Sequence, residues 1–235
     1  VIFISDYVVY TLASLLINRA RQNMKLAVLG ATGWIGGTIM QQAISRGHEV
    51  VAVVRDASKV SQDVAVRTLD LTTMTSDAIA SAFADVDVVI ASIGGRAAQN
   101  HQVVAQTAQQ LLQHLPQAGT PRLLWVGGAG SLEVTPGVTL VSTAEFPEEY
   151  KAEAIAQGEA LAVFRATDSA IKWTYVSPAA FIFPSESEGQ YRVGGDEFFT
   201  DADGQSRVSV VDYAKAMLDE AENAKHINQR ISVAY

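Results

Sequence analysis

Three glycines spaced as Gly30-Ala31-Thr32-Gly33-Trp34-Ile35-Gly36, directly after the apolar run KLAVL, carry the clearest chemical signal in the sequence. A glycine turn between a strand and a helix aims backbone N–H groups and the positive end of a helix dipole at one point, which suits an anion. In the dinucleotide form of this turn the first glycine allows a tight reversal and the second lets backbone approach a pyrophosphate. The third lets helix and strand pack closely. Gly30, Gly33 and Gly36 match these roles, with Thr32, Trp34 and Ile35 beside them. Turn geometry alone could require the same triplet, and its position between a strand and a helix favours the dinucleotide.

Arg55 ends the second apolar run, EVVAVVR, where an acidic residue would hold the ribose 2′-hydroxyl of NAD. A guanidinium there suits a 2′-phosphate, so NADP is favoured, while Asp56 next to it leaves NAD open and Lys59 could assist the phosphate or face water. Open α/β sheets bind ligands beyond the carboxyl ends of their strands. That rule adds Asp70 and Leu71 after the third run, Ser92, Ile93 and Gly94 after the fourth, and Val126, Gly127 and Gly128 after the fifth. Asp70 could accept from an adenine amine or serve as a turn cap.

Ser131, just past the fifth run, is the candidate for hydrogen bonding substrate or nicotinamide, with a loop serine bonded to backbone as the plainer alternative. Tyr150 is the other catalytic candidate, read as a pocket residue more than an acid. His101 and His114 lie on a helical pattern that favours solvated side chains. No His, Asp and Glu grouping has metal-ligand spacing, so no metal is expected, and no GxSxG elbow supports serine hydrolysis.

From Lys25 onward, short apolar runs alternate with longer helix-like segments, the pattern of a doubly wound parallel sheet in an α/β domain. The runs KLAVLG, EVVAVVR, VAVRTLD, DVVIAS, RLLWVG and KWTYVS lack polar alternation, so burial on both faces is expected. Helices are predicted near residues 34–46, 77–84, 97–115, 147–166 and 211–223, with a last strand near 230–234. One domain, residues 24–235, is expected, with about 178–210 capping the substrate crevice.

The 235 residues include 49% hydrophobic and 18% charged, which fits an extensive interior, and the net charge of −8 has the wrong sign for a nucleic-acid partner. Cys 0 excludes disulfides, thiol nucleophiles and cysteine-ligated metal, and makes cytoplasmic residence the simplest reading. Residues 1–23 are read as a helical extension. Its apolar run is short for a bilayer and interrupted by Asp6, so no membrane span is expected and burial on the domain or in a homo-oligomer interface is favoured.

The strings LAVLGATGWIGG, VVAVVRDASKV, RLLWVGGAGSLEV, PEEYKAEAIAQGEAL and WTYVSPAAFIFP together resemble the atypical short-chain dehydrogenase/reductase superfamily. The resemblance covers about residues 25–235 and points to its NAD(P)H-binding group of NmrA-like and flavin/biliverdin-reductase-like proteins. It implies a Rossmann-like sheet of order 3-2-1-4-5-6, usually with a further strand, and a cofactor laid across the carboxyl edge. It also implies that residues 128–131 and 177–181, with Pro178, Ala179 and Phe181 among them, approach nicotinamide and substrate. The family dehydrogenases carry YxxxK, whereas Tyr150 here has Ala154 at the lysine position. Flavin- and biliverdin-reductase-like members manage without that pair. The expected function is therefore NAD(P)H-dependent hydride transfer to a small planar acceptor such as a flavin or quinone. A redox-sensing binding protein without turnover and an epimerase or isomerase are the alternatives.

Overall fold

Along the first strand alternate side chains enter different cores, and this alternation defines the architecture. The computed structural model describes residues 23–61, 63–96 and 99–235, so the N-terminal helix expected before Asn23 lies outside the described residues. Strand β1 (Lys25–Leu29) sends Ala27 and Leu29 to one face and Leu26 and Val28 to the other. Period-two alternation of apolar residues on both faces requires a helical layer on each side.

The chain continues through α1 (Trp34–Ser45), β2 (Glu49–Val54), β3 (Ala65–Thr68), α2 (Ser76–Ala82), β4 (Val88–Ala91), α3 (Gln102–His114) and β5 (Arg122–Val126). After β5 come a small hairpin, β6 (Glu133–Thr135) and β7 (Val138–Thr139), then α4 (Glu148–Ala166) and β8 (Lys172–Pro178). The last part holds β9 (Phe181–Phe183), β10 (Arg192–Gly194), β11 (Arg207–Ser209), α5 (Val210–Asn223) and β12 (Gln229–Ala234). The main sheet runs β10-β12-β8-β5-β4-β1-β2-β3. All pairings in it are parallel except β10 with β12. This is a Rossmann-like α/β fold, and its strand order reverses between β1 and β4, which opens a crevice at their carboxyl ends.

Helices α2, α3 and α4 cover one face, and α1 and α5 the other. Phe164 of α4 anchors the first layer, its ring 5.5 Å from Trp125, 5.3 Å from Trp173 and 5.8 Å from Tyr175. In the second layer Tyr213 is fully buried and donates its hydroxyl to the Val176 carbonyl at 2.7 Å.

Three expectations need correction. β3 is an edge strand whose Ala65, Val66 and Thr68 are exposed, because nothing pairs beyond it. The helix expected from residue 97 begins at Gln102, since Gln99 takes a left-handed φ of 51° that no α-helix continues. Within 178–210, β10 extends the main sheet instead of covering it, and only residues 178–182 line the crevice, with β9 paired to β11.

The C-terminal part is held by one buried carboxylate. Asp212, fully buried in the first turn of α5, accepts from Ser187 Oγ at 2.6 Å, Glu188 N at 2.8 Å, Tyr235 Oη at 2.6 Å and Lys215 Nζ at 3.1 Å. Burial opposes the charge, but these donors prevail and hold the carboxyl well below the usual range. Asp212→Ala should therefore cost about 3 kcal/mol in urea melts at neutral pH. A carboxyl depressed in the folded state stabilises fully above its unfolded value of about 3.9 and less as the pH falls toward the folded one. Acidification below about pH 4 should thus destabilise the wild type more steeply than Asp212→Asn, and equal slopes would refute this role.

Candidate functional site

The crevice at the switch point is a cavity of about 1010 Å³. Its first wall is the turn from β1 into α1. Gly30 has φ +82°, and a Cβ there would stand 2.2 Å from the Ser92 carbonyl oxygen, so no side chain can replace its hydrogen. Gly33 is the helix N-cap and has no side chain to satisfy the first-turn amides, and no acidic residue occupies that turn. The free amides and dipole of α1 are thus left to the cavity, beside Thr32, Trp34 and Ile35. Gly36 does not line it. A Cβ at Gly36 would stand 2.3 Å from the Gly30 carbonyl oxygen, so its role is to let α1 pack on the turn.

At the β2 and β3 end the cavity is lined by Arg55, Asp56, Lys59, Asp70, Leu71 and Thr72. Asp56 Oδ1 accepts from the Ser58 amide at 3.0 Å and hydroxyl at 2.7 Å, and these bonds hold its carboxyl below the ordinary range. Asp70 Oδ1 is bound in the same way by the Thr72 hydroxyl at 2.7 Å and amide at 2.9 Å. Both are turn caps; Arg55 makes no ion pair within 4 Å among the described residues, although its charge adds to the bonds from Thr72 in lowering Asp70.

Beyond β4 and β5 the lining includes Ser92, Ile93, Gly94, Val126, Gly127 and Gly128, all expected from the strand-end rule. Pro178, Ala179 and Phe181 close the far side, and Phe181 is 62% exposed at the mouth. Tyr150 also lines the cavity, 48% exposed, with the Arg96 guanidinium 4.7 Å from its ring centroid.

Ser131 is not brought to the cavity. The chain turns away at Gly130, where a Cβ would stand 2.6 Å from Ala154 Cβ, and enters the β6–β7 hairpin. Ser131 instead lines a smaller recess with Glu133 and Arg165 against another face of α4. Its backbone oxygen accepts from Arg230 Nη2 at 3.3 Å.

Sequence reasoning missed Glu153 and Gln157. On α4, Tyr150, Glu153, Ala154 and Gln157 share the face turned to the cavity. Glu153 accepts from the Gly95 amide at 3.0 Å and the Arg96 amide at 2.9 Å, and His101 Nδ1 lies 3.2 Å away. Gln157 accepts from Trp125 Nε1 at 3.0 Å and donates to the Ile93 carbonyl at 2.8 Å. Two polar residues one turn apart on an otherwise apolar helix face were the available signal. Lys151 points elsewhere, pairing with Glu148 at 3.3 Å, so Tyr150 has no lysine partner.

A family model described as NAD(P)H-binding matches residues 30–223. The chain belongs to this NAD(P)H-binding family. It is 43% identical over 214 residues to the uncharacterized Bacillus subtilis protein YwnB, covering 89% of this chain and 98% of that protein. Among solved structures it resembles a Streptococcus pneumoniae protein provisionally named an NADH-flavin reductase, with TM-score 0.80 and 36% identity over 90% of this chain and 99% of that one. A Bacteroides thetaiotaomicron protein provisionally named an epimerase gives TM-score 0.81 and 33% identity, covering 90% and 97%. Among the described residues no helix is long and apolar enough to cross a membrane, and no group of three or more His, Asp or Glu could hold a metal.

The glycine turn and open helix end fit the cofactor this family binds: a backbone cradle in which Gly30 and Gly36 leave no room for a Cβ against neighbouring backbone, with uncapped amides facing the cavity. Gly33→Val puts a branched side chain into that cradle and should weaken NADPH and NADH alike by more than about 100-fold, the loss of roughly two charge-assisted contacts. Calorimetry on the folded variant checks this, and unchanged affinity would move the pyrophosphate site elsewhere.

Proposed function

We propose that this protein is an NADP(H)-dependent oxidoreductase that passes hydride to a small planar acceptor of the flavin or quinone type. The observation that carries the proposal is one cavity lined both by the glycine turn with Arg55 and by two exposed aromatic side chains, Tyr150 and Phe181. NADPH, when bound, supplies the hydride.

The protein's own part is to bind, orient and exclude water. The amides of the α1 end and of the glycine turn hold a pyrophosphate. Arg55 and Lys59 stand where a 2′-phosphate attached to the adenosine end would project past β2. Glu153 fixes the backbone after β4, and Gln157 ties that backbone to β5 through Trp125. A flat acceptor would lie against Tyr150 and Phe181.

Carbonyl reduction or epimerisation on this fold calls for a side chain that exchanges a proton with the substrate. Tyr150 has Ala154 one turn later, and Arg96 lies over its ring face without a hydrogen bond to the hydroxyl. A flavin or quinone needs no such residue, because it can take its proton from water after accepting hydride. That difference supports the reductase over the epimerase, and steady NADPH oxidation distinguishes it from a sensor without turnover.

Two variants test the parts. Arg55→Ala should weaken NADPH binding about tenfold while hardly altering NADH. Equal losses, or tighter NADH binding by the wild type, would overturn the NADP assignment. Tyr150→Phe should lower kcat with a flavin or quinone less than about tenfold, below the loss expected for a general acid. A thousandfold fall at unaltered NADPH affinity would restore a tyrosine acid and carbonyl reduction.

A further inference from the structure

We propose that Arg96 determines acceptor specificity by reading an anionic tail on the planar acceptor, so that a phosphorylated flavin is preferred over its neutral counterpart. This rests on the flavin reading above and deepens it. Arg96 lines the cavity beyond β4, whereas Arg55 lines it beyond β2, on the other side of β1. The two arginines thus follow strands that flank β1 on opposite sides. One cation therefore serves the adenosine side and the other the side that holds Tyr150 and Phe181.

Arg96 is built into position from its backbone. Its amide donates to Glu153 Oε2 at 2.9 Å, and the preceding Gly95 amide donates to the same oxygen at 3.0 Å. Two amides converging on one carboxylate fix the chain direction at this point. The guanidinium then lies over Tyr150, 4.7 Å from the ring centroid, and forms no ion pair among the described residues. Glu145 also lines the wall, yet it makes no ion pair with Arg96. A cation stacked on one aromatic ring keeps its edge N–H groups for a second partner, and those donors suit phosphate or carboxylate oxygens. Phe181 stacks on Phe183 at 5.5 Å and 17°, offering a second flat surface across the mouth for the acceptor ring itself.

The experiment compares FMN with riboflavin, which share the ring and differ by the terminal phosphate, at saturating NADPH. In the wild type kcat/KM should favour FMN about tenfold, expressed mainly in KM, and the advantage should shrink as ionic strength rises. Arg96→Gln should bring the FMN:riboflavin ratio below about twofold, while Arg96→Lys should retain part of it because the charge remains. Equal KM for both flavins in the wild type, or an unchanged ratio in Arg96→Gln, would overturn the Arg96 assignment and leave the flavin reading intact. Failure of both flavins to be reduced or to bind, with NADPH binding preserved, would overturn both the Arg96 assignment and the flavin reading.

Discussion

A hydrogen atom on Gly30 is the constraint around which the site is arranged. Where a Cβ would stand, the Ser92 carbonyl oxygen lies 2.2 Å away, so the turn after β1 presses directly on the end of β4. Those two strands flank the point where the strand order reverses. Only this close approach lets α1 start low in the crevice, with its first-turn amides facing the cavity and not the loop after β4. Gly36 repeats the economy one turn later by resting against the Gly30 carbonyl. The tight turn and its uncapped amides are thus a consequence of packing, set by backbone shape before any side chain acts.

The opposite wall depends on polar side chains instead. Gln157 is buried and Glu153 half-buried on the face of α4 that turns to the cavity. Each spends its hydrogen bonds on backbone ends: Glu153 on the amides of Gly95 and Arg96, Gln157 on the Ile93 carbonyl and the Trp125 indole. Buried polar groups of this kind are costly unless fully partnered, and partnered ones fix a single arrangement. Tyr175, pushed up by burial and therefore neutral, completes the set by accepting from the Gly128 amide and donating to the Gln157 carbonyl. The loops after β4 and β5 are consequently held to one helix, and the aromatic mouth inherits its position from them.

What the sequence disclosed and what it hid divide along sequence separation. The runs KLAVL and EVVAVV and the glycine turn are local signals: strand, turn and helix lie within a few residues, so periodicity and glycine spacing suffice. Exposure of β3 was hidden because an edge position depends on which strand follows in space, not on the composition of VAVRTLD. Ser131 was misjudged for a similar reason. Its distance from the cavity is set by the contact between Gly130 and Ala154, on a helix that the sequence places well downstream. Arg96 was overlooked because a lone arginine after two glycines says nothing until Glu153, 57 positions later, and Tyr150 are seen beside it. Asp70 shows the converse: the sequence left an adenine contact and a turn cap open, and the Thr72 bonds make the cap explicit.

Net charge and local charge act against each other in this protein, and distance decides between them. A chain of −8 repels an anionic dinucleotide at long range, yet that repulsion is screened over about 8 Å at physiological ionic strength. Within the cavity, lined by the glycine turn, Arg55 and Lys59, a ligand's charges would meet amides and cations at contact distance with little intervening water. Asp56 and Asp70 line the same end of the cavity and stay ionised, since the bonds from Ser58 and Thr72 hold both carboxyls below the ordinary range, so the cations there act against two fixed negative charges. Affinity then arises from a few short contacts on an otherwise repulsive surface, which favours ligands long enough to place a charged group at each cation. A cofactor with phosphates at the cradle and beyond β2 meets that requirement on one side of β1. The only neighbouring stretch of cavity that offers an unpaired guanidinium against an aromatic face, among the described residues, is the one at Arg96 and Tyr150.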